Sequence, residues 1–146
     1  MIEVVLDTET TGLPKNFNAP VSESENWPRL VQLAWQLNDN NGRLISVNSH
    51  IIKPDGYSIP YNSEKIHGIS TEIALKEGKK LGDILKEFEK DLLRSKYIIG
   101  HNIKFDINIV GAEHYRKNFK SSIEDKLKID TAIISKSFCN LQGGLG

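Results

Sequence analysis

The chain opens with a short apolar run that ends in two carboxylates. Residues 2–12 read IEVVLDTETTG, so Asp7 and Glu9 follow directly on a stretch rich in valine, isoleucine and leucine. Such a run is typical of a buried β-strand, which places both acids at the carboxyl end of that strand. Because they are two positions apart, their side chains point to the same face of the sheet.

Two carboxylates on one face repel each other unless a positive charge lies between them. A divalent cation is the usual solution, and oxygen ligands suit Mg²⁺ or Mn²⁺. Gly12, just beyond the pair, allows the backbone to approach a ligand closely or to turn with positive φ. An isolated Asp-x-Glu at a strand end is more often a solvated turn. The downstream sequence therefore has to decide between a cation site and a solvated turn.

Length, charge and cysteine usage exclude several classes. A chain of 146 residues is long enough for one domain, and its formal net charge of zero gives no overall basic field for non-specific duplex binding. Cys139 is the single cysteine, which excludes an internal disulfide and fits a reducing compartment. With neither a signal peptide nor a membrane-length apolar run in the sequence, we expect a cytoplasmic protein without a membrane partner.

Hydrophobic periodicity changes along the chain from strand-like to helical. Residues 30–38 and about 43–53 alternate around the turn signal Asn40-Asn41-Gly42, which predicts an antiparallel three-strand meander with the first strand. The remaining predicted segments are a loop over 14–28, one helical turn over 63–69, a short helix capped by Ser70 or Thr71, a helix over about 81–94, a strand over 97–100, a helix over about 103–117, a strand over 128–131, a helical stretch to about Phe138 and an aperiodic glycine-rich loop over 140–146.

This order of segments predicts an α/β domain with a mixed sheet flanked by helices. In such sheets, functional sites lie at the carboxyl ends of strands, where Asp7, Gly100 and Asp130 are placed.

A second patch of candidate site residues lies at the start of the predicted helix after Gly100. Residues 101–106 read HNIKFD, and Asp106 shares a helix face with the apolar Ile103 and Val110. An inward carboxylate without a partner is costly. Asp106 therefore either caps or pairs locally, or joins Asp7 and Glu9 around a cation.

Taken together, the motifs Asp-x-Glu-Thr-Thr-Gly and His-Asn-x-x-Phe-Asp resemble those of the DnaQ-like (DEDD) 3′–5′ exonucleases. The segment Ile66-His67-Gly68-Ile69 between them is similar to one in the DNA polymerase III epsilon-subunit branch. The resemblance runs to about residue 140 and implies a single exonuclease domain over 1–146 with a ribonuclease H-like fold.

The resemblance also implies roles for individual residues. Asp7, Glu9 and Asp106 would be catalytic metal ligands for two-metal hydrolysis of a terminal phosphodiester, with Mg²⁺ or Mn²⁺ as cofactor. The partner would be the 3′ end of single-stranded DNA, and a DNA polymerase subunit is a further candidate. The implied substrate contacts are Thr8, Thr10, Thr11, Gly12, Leu13, His67, His101, Asn102 and Phe105.

The sequence departs from the family pattern in one respect. The family carries a third motif on a late helix, a histidine or tyrosine a few residues before a fourth aspartate, whereas no histidine follows His114 and no aspartate follows Asp130. We interpret Asp130 as structural. We therefore expect a C-terminally truncated domain that lacks its last helix, an exposed apolar sheet face, self-association, weak or single-metal binding and impaired hydrolysis.

Two other functions stay open. An RNA-directed exonuclease of the same fold differs by contacts to the 2′-hydroxyl, which the sequence does not reveal. A non-catalytic domain that binds nucleic acid or a polymerase would fit the absence of the third motif. Trp27 and Phe17 either stack a base or pack onto the domain, and we interpret Lys76, Lys79 and Lys80 as solvated surface.

Overall fold

The computed structural model describes residues 2–139 and contains one five-stranded sheet with five α-helices. The predicted loop over 140–146 lies outside the described residues. The elements are β1 (Glu3–Thr10), β2 (Leu30–Asn38), β3 (Leu44–Ile51), α1 (Tyr61–His67), α2 (Thr71–Glu77), α3 (Leu81–Arg94), β4 (Tyr97–Gly100), α4 (Ile103–Arg116), β5 (Leu127–Asp130) and α5 (Thr131–Cys139). Within residues 2–139, none of the helices has the length and apolar character needed to cross a membrane.

The strand order is β3-β2-β1-β4-β5, with β1 at the centre. β1, β2 and β3 form an antiparallel meander, whereas β4 and β5 run parallel to β1. The predicted α/β fold with a mixed sheet is confirmed. The carboxyl ends of β1, β4 and β5 therefore meet at one edge of the sheet.

One face of the sheet carries the main hydrophobic core. Leu6 and Trp35 point to this face and pack with Phe88 of α3 and Val110 of α4. The α3 residues at helical spacing are buried, as the amphipathic pattern predicts. Trp27 is buried in the same core and donates its Nε1–H to the carbonyl of Pro20 at 3.2 Å. Of the two alternatives for this residue, the indole therefore packs onto the domain and is not exposed for stacking on a base.

The opposite face carries apolar side chains that are only partly covered, together with polar ones. The register Val5–Ile99–Ile129 places three half-buried apolar side chains side by side on this face. Val47 of β3 pairs opposite Gln36 on the same face and is exposed. The alternation of β3 turns His50 toward the core face, where its Nε2 lies 3.1 Å from Glu87.

Candidate active site

Asp7 and Glu9 lie at the carboxyl end of β1 on the partly covered face. Asp7 is exposed and Glu9 is half-buried. Burial is the main cause of the raised pKa of Glu9, the neighbouring Asp7 raises it further, and His67 acts in the opposite direction. The negative charge of Asp7 thus acts on Glu9, as their spacing of two residues on a strand predicts.

Asp106 reaches β1 from the first turns of α4. Its Oδ1 accepts hydrogen bonds from the amide of Thr8 at 3.0 Å and from the Thr8 hydroxyl at 2.6 Å. This is possible because β4 pairs with β1 only as far as Val5, which leaves the later β1 backbone without a strand partner on that side. Asp106 accepts both donors of Thr8, which the family resemblance assigns to a nucleotide, and the contact between Thr8 and a nucleotide stays a prediction.

Asp106 is only 4% exposed, which raises its pKa to about 6. Burial is the largest cause and the charge of Asp7 adds to it, while the hydrogen bonds from Thr8 act in the opposite direction. Asp7 therefore raises the pKa of both Glu9 and Asp106. Three acidic side chains at this end of β1 therefore share a negative field, which His67 partly offsets at Glu9.

The acidic side chains suit a divalent cation by their chemistry, although they do not form a closed cage. Within residues 2–139, no three His, Cys, Asp or Glu side chains lie close enough together to hold a metal ion. Carboxylate oxygens are nevertheless the ligands that Mg²⁺ and Mn²⁺ prefer, and a cation would relieve the repulsion centred on Asp7. The residues fit a metal in donor type and in charge.

The loop after β1 is held in a defined conformation. The Thr10 hydroxyl donates to the carbonyl of Gly12 at 2.7 Å, and Gly12 has φ of 151°, a value that favours glycine. Thr11 and Arg29 exchange two hydrogen bonds of 2.9 Å, from the Thr11 amide to the Arg29 carbonyl and from the Arg29 amide to the Thr11 hydroxyl. Leu13 then projects into solvent, available for contact with a ligand.

His67 ends α1 close to Glu9, and Gly68 caps the helix in the left-handed conformation with φ of 78°. The amide of Ile69 donates to Nδ1 of His67 at 3.1 Å, so the neutral ring carries its proton on Nε2. Nε2 is buried and has no hydrogen-bond partner among the described residues. A buried donor of this kind beside Glu9 is suited to a ligand acceptor.

The second predicted patch, residues 101–106, lies at the turn from β4 into α4. Asn102 adopts a left-handed conformation with φ of 58°, and its amide donates to Oδ1 of Asp130 at 2.9 Å. The same oxygen accepts from the amide of Ala132, so Asp130 joins the β4–α4 turn to the start of α5, as its structural interpretation predicted. His101 lies exposed, with Nδ1 at 3.1 Å from the Thr131 hydroxyl.

Phe105 is half-buried and packs against the core next to this turn. Phe105, His101 and Asn102 therefore lie at the same sheet edge as the acidic residues. A cavity of about 430 Å³ lies elsewhere, between the segment after β3 and the start of α3, and none of the predicted site residues lines it.

Sequence reasoning missed a buried charge cluster beneath the loop. Glu113 of α4 is 1% exposed and accepts hydrogen bonds from Nε of Arg29 at 2.9 Å and from the Leu30 amide at 3.0 Å. Its Oε1 also forms an ion pair with Arg116 at 3.0 Å. Arg29 in turn holds Thr11. The sequence could have indicated the burial of Glu113, because this residue lies seven positions after Asp106 and therefore on the same inward helix face.

The mixed sheet, its flanking helices and the acidic end of its central strand define a ribonuclease H-like domain of the exonuclease class. Exonuclease I in a product-bound structure superposes with a TM-score of 0.77 over 99% of this chain and 33% of that protein, at 20% identity. Escherichia coli exonuclease I in complex with a dA16 oligonucleotide gives a TM-score of 0.75 over 97% of this chain and 30% of that protein, at 19% identity. At these identities the likeness establishes the fold.

The chain belongs to the exonuclease family, whose RNase_T model matches residues 4–143. It is 30% identical to the 3′–5′ exonuclease DinG of Bacillus subtilis over 133 residues, which cover 91% of this chain and 13% of that protein. It is also 30% identical to DNA polymerase III subunit epsilon of Rickettsia felis over 137 residues, covering 92% of this chain and 55% of that subunit. The chain thus spans about half of the epsilon subunit and a small part of DinG.

Proposed function

We propose that this protein is a metal-dependent 3′–5′ exonuclease that hydrolyses terminal phosphodiesters of DNA. The observation that carries the proposal is that Asp7, at the carboxyl end of β1, lies near enough to Glu9 and to Asp106 to raise the pKa of both carboxyls. Membership of the exonuclease family and the likeness to a 3′–5′ exonuclease and an epsilon subunit support it.

In this proposal Asp7, Glu9 and Asp106 hold Mg²⁺ or Mn²⁺. The bound metal would make water a stronger nucleophile and stabilise the negative charge that develops on the leaving oxygen. Because residues 2–139 contain no closed metal cage, we propose weak or single-ion occupancy and impaired hydrolysis for this chain.

The remaining residues would orient the strand end. The Nε2–H of His67 donates to an oxygen of the terminal nucleotide, and Leu13 packs against its base. Thr10, Thr11 and Gly12 present a loop that Arg29 already fixes, which lowers the entropic cost of binding. Asn102, His101 and Phe105 line the opposite side of the strand end.

Paired aspartate variants test the site. Asp7→Asn and Asp106→Asn are expected to abolish the Mg²⁺- or Mn²⁺-dependent shortening of a 5′-labelled oligonucleotide from its 3′ end. Both variants should also weaken Mn²⁺ binding measured by calorimetry. Asp125→Asn, at an exposed aspartate away from the site, is the control and should resemble the parent. Metal-dependent shortening that survives both site variants would refute the assignment.

DNA is proposed over RNA because the relatives in sequence include DNA polymerase III subunits. Structures of exonuclease I with dA16 and dT13 oligonucleotides are consistent with this choice of substrate for the fold. Equal shortening of matched RNA and DNA strands would favour the RNA-directed alternative. We also propose association with a DNA polymerase subunit and a cytoplasmic setting, the latter because the single Cys139 is a free, exposed thiol.

Self-association through the partly covered sheet face is a further proposal. Val47 is exposed on this face, across Gln36 of β2 from the half-buried Val5, and β3 is an edge strand with unpaired backbone groups. Light scattering should then report a concentration-dependent dimer that Val47→Lys weakens. A monomer at all concentrations would contradict this proposal and leave the exonuclease proposal intact.

A further inference from the structure

The cavity between the segment after β3 and the start of α3 is preformed. Backbone hydrogen bonds join the two segments, from the Lys53 amide to the Lys79 carbonyl at 2.8 Å and from the Lys79 amide to the Ile51 carbonyl at 2.9 Å. Gly78 permits this close approach, because a Cβ atom there would lie 2.6 Å from the backbone nitrogen of Lys53. The cavity measures about 430 Å³, a volume within the usual range of sites for small molecules.

The wall of the cavity that Tyr57 forms is fixed as well. The Tyr57 hydroxyl donates to the Leu30 carbonyl at 3.0 Å, and the Arg29 guanidinium lies 4.3 Å from the centroid of the Tyr57 ring. Arg29 also lines the cavity, but its side chain is paired with the buried Glu113. The charge of Arg29 is therefore balanced within the protein.

Four lysines from three segments give the cavity an excess of positive charge. They are Lys53 after β3, Lys80 and Lys86 at the start of α3, and Lys117 directly after α4. Within residues 2–139, none of their ammonium groups lies within salt-bridge distance of a carboxylate. The acidic residues in the lining are Asp55 and Asp83, so the lysines exceed the carboxylates by two. The whole chain has 19 basic and 19 acidic residues, which makes this excess a local feature.

The lining also has a buried apolar part. Ile52 and Leu81 are 1% and 6% exposed, and Pro54 is buried beside them, whereas the four lysines are exposed. A ligand that fills the volume therefore needs an apolar or planar body for the buried part and a strongly anionic group for the lysines. A phosphate monoester carries about 1.5–2 negative charges at pH 7, which matches the local excess, and lysine is a common phosphate ligand.

We propose that this cavity binds a small organic phosphate of the nucleoside monophosphate class. Its phosphate contacts the lysine ammonium groups, its planar base lies against Ile52 and Leu81, and Asp55 or Asp83 accepts a hydrogen bond from an N–H or O–H of the ligand. The cavity is separate from the candidate active site, because none of the acidic residues of that site lines it. The proposal goes beyond the exonuclease function and does not depend on it.

Three probes test the ligand class on the parent protein. Binding of dTMP, thymidine and inorganic phosphate is measured by calorimetry at low ionic strength in buffer without divalent metal. Thymidine lacks the phosphate and inorganic phosphate lacks the apolar body, so each should bind at least about tenfold more weakly than dTMP. A dTMP affinity no higher than that of either other probe would overturn the proposal.

Paired lysine variants test the location. Lys53→Gln with Lys86→Gln removes two charges from the lining, whereas Lys76→Gln with Lys90→Gln removes two charges from exposed lysines outside the cavity and is the matched control. The first pair should weaken dTMP binding at least about tenfold, and the control pair should bind like the parent. Equal thermal midpoints for the two pairs verify that both are folded. Equal dTMP affinities of the two pairs would overturn the location.

Two further measurements separate the cavity from other phosphate-binding surfaces. Asp7→Asn changes only the candidate active site, so it should bind dTMP like the parent, and a loss of dTMP binding in this variant would place the nucleotide at the acidic residues instead. A dT oligonucleotide is the second probe. If the lining pair weakened binding of the oligonucleotide but not of dTMP, the lysines would belong to a strand-binding surface, and the small-molecule site would be refuted.

Discussion

Replacing Glu113 with glutamine is the most direct test of how the interior supports the candidate site. The carboxylate is 1% exposed, accepts hydrogen bonds from Arg29 and the Leu30 amide, and forms an ion pair with Arg116. Glutamine keeps the shape and one acceptor oxygen but removes the negative charge. Arg29 and Arg116 would then face each other without a counter-ion.

The expected loss of stability follows from the burial of the three groups. Removing one partner of a fully buried ion pair costs about 3–5 kcal/mol, because the other charge stays buried and uncompensated. The side chains of Arg29 and Arg116 are 27% and 16% exposed, so water partly screens them. We therefore expect Glu113→Gln to lower the free energy of unfolding by about 2–4 kcal/mol.

Urea unfolding followed by tryptophan fluorescence measures this change, because Trp27 and Trp35 are both buried. The matched control is Glu124→Gln, which removes a pair with Lys128 at 3.4 Å whose side chains are 73% and 34% exposed. A surface pair of this kind contributes about 0–1 kcal/mol. If Glu113→Gln destabilised the protein no more than Glu124→Gln, the buried cluster would not hold the loop as we infer.

Two further predictions concern the interior away from the candidate site. Burial lowers the pKa of His114 to about 4 despite the nearby Glu89 and Glu113, so the unfolded chain binds the extra proton first. The contribution of His114 to stability should therefore fall by about 2 kcal/mol between pH 7 and pH 5, while the raised pKa of Asp106 acts in the opposite direction. Replacement of His114 by Phe should remove this contribution from the pH dependence of the free energy of unfolding, measured in urea titrations. The same pH dependence in the variant and in the parent would contradict the role given to His114. A methyl group at Gly78 would press on fixed backbone, so Gly78→Ala should cost about 1–3 kcal/mol. Gly82→Ala meets open space in a helix and should leave the thermal midpoint unchanged or raise it slightly.

The strands and helices were largely predictable because their signals are local. The alternation over 30–38 and the helical spacing over 81–94 correspond to β2 and α3 with the same bounds. The apolar run predicts a first strand over residues 2–7, whereas β1 also includes Glu9 and Thr10, because pairing with β2 continues through these polar residues. Strand ends depend on a partner strand, which a single segment does not specify.

The sequence by itself determined which residues are the candidates for the chemistry. The spacing of Asp7 and Glu9 requires one shared face, and the apolar neighbours of Asp106 require it to point inward. Both conclusions rest on the backbone periods of strand and helix, which hold in any fold. The family motifs then placed these residues in one class of enzyme.

Only the tertiary structure decided what those side chains touch. Asp106 takes the two donors of Thr8 because β4 stops short of the end of β1. The Glu113 cluster likewise joins residues far apart in the chain, Glu113 to Arg29 among them. Such contacts depend on how helices cross the sheet and on where strands end, and neither is encoded in a local pattern.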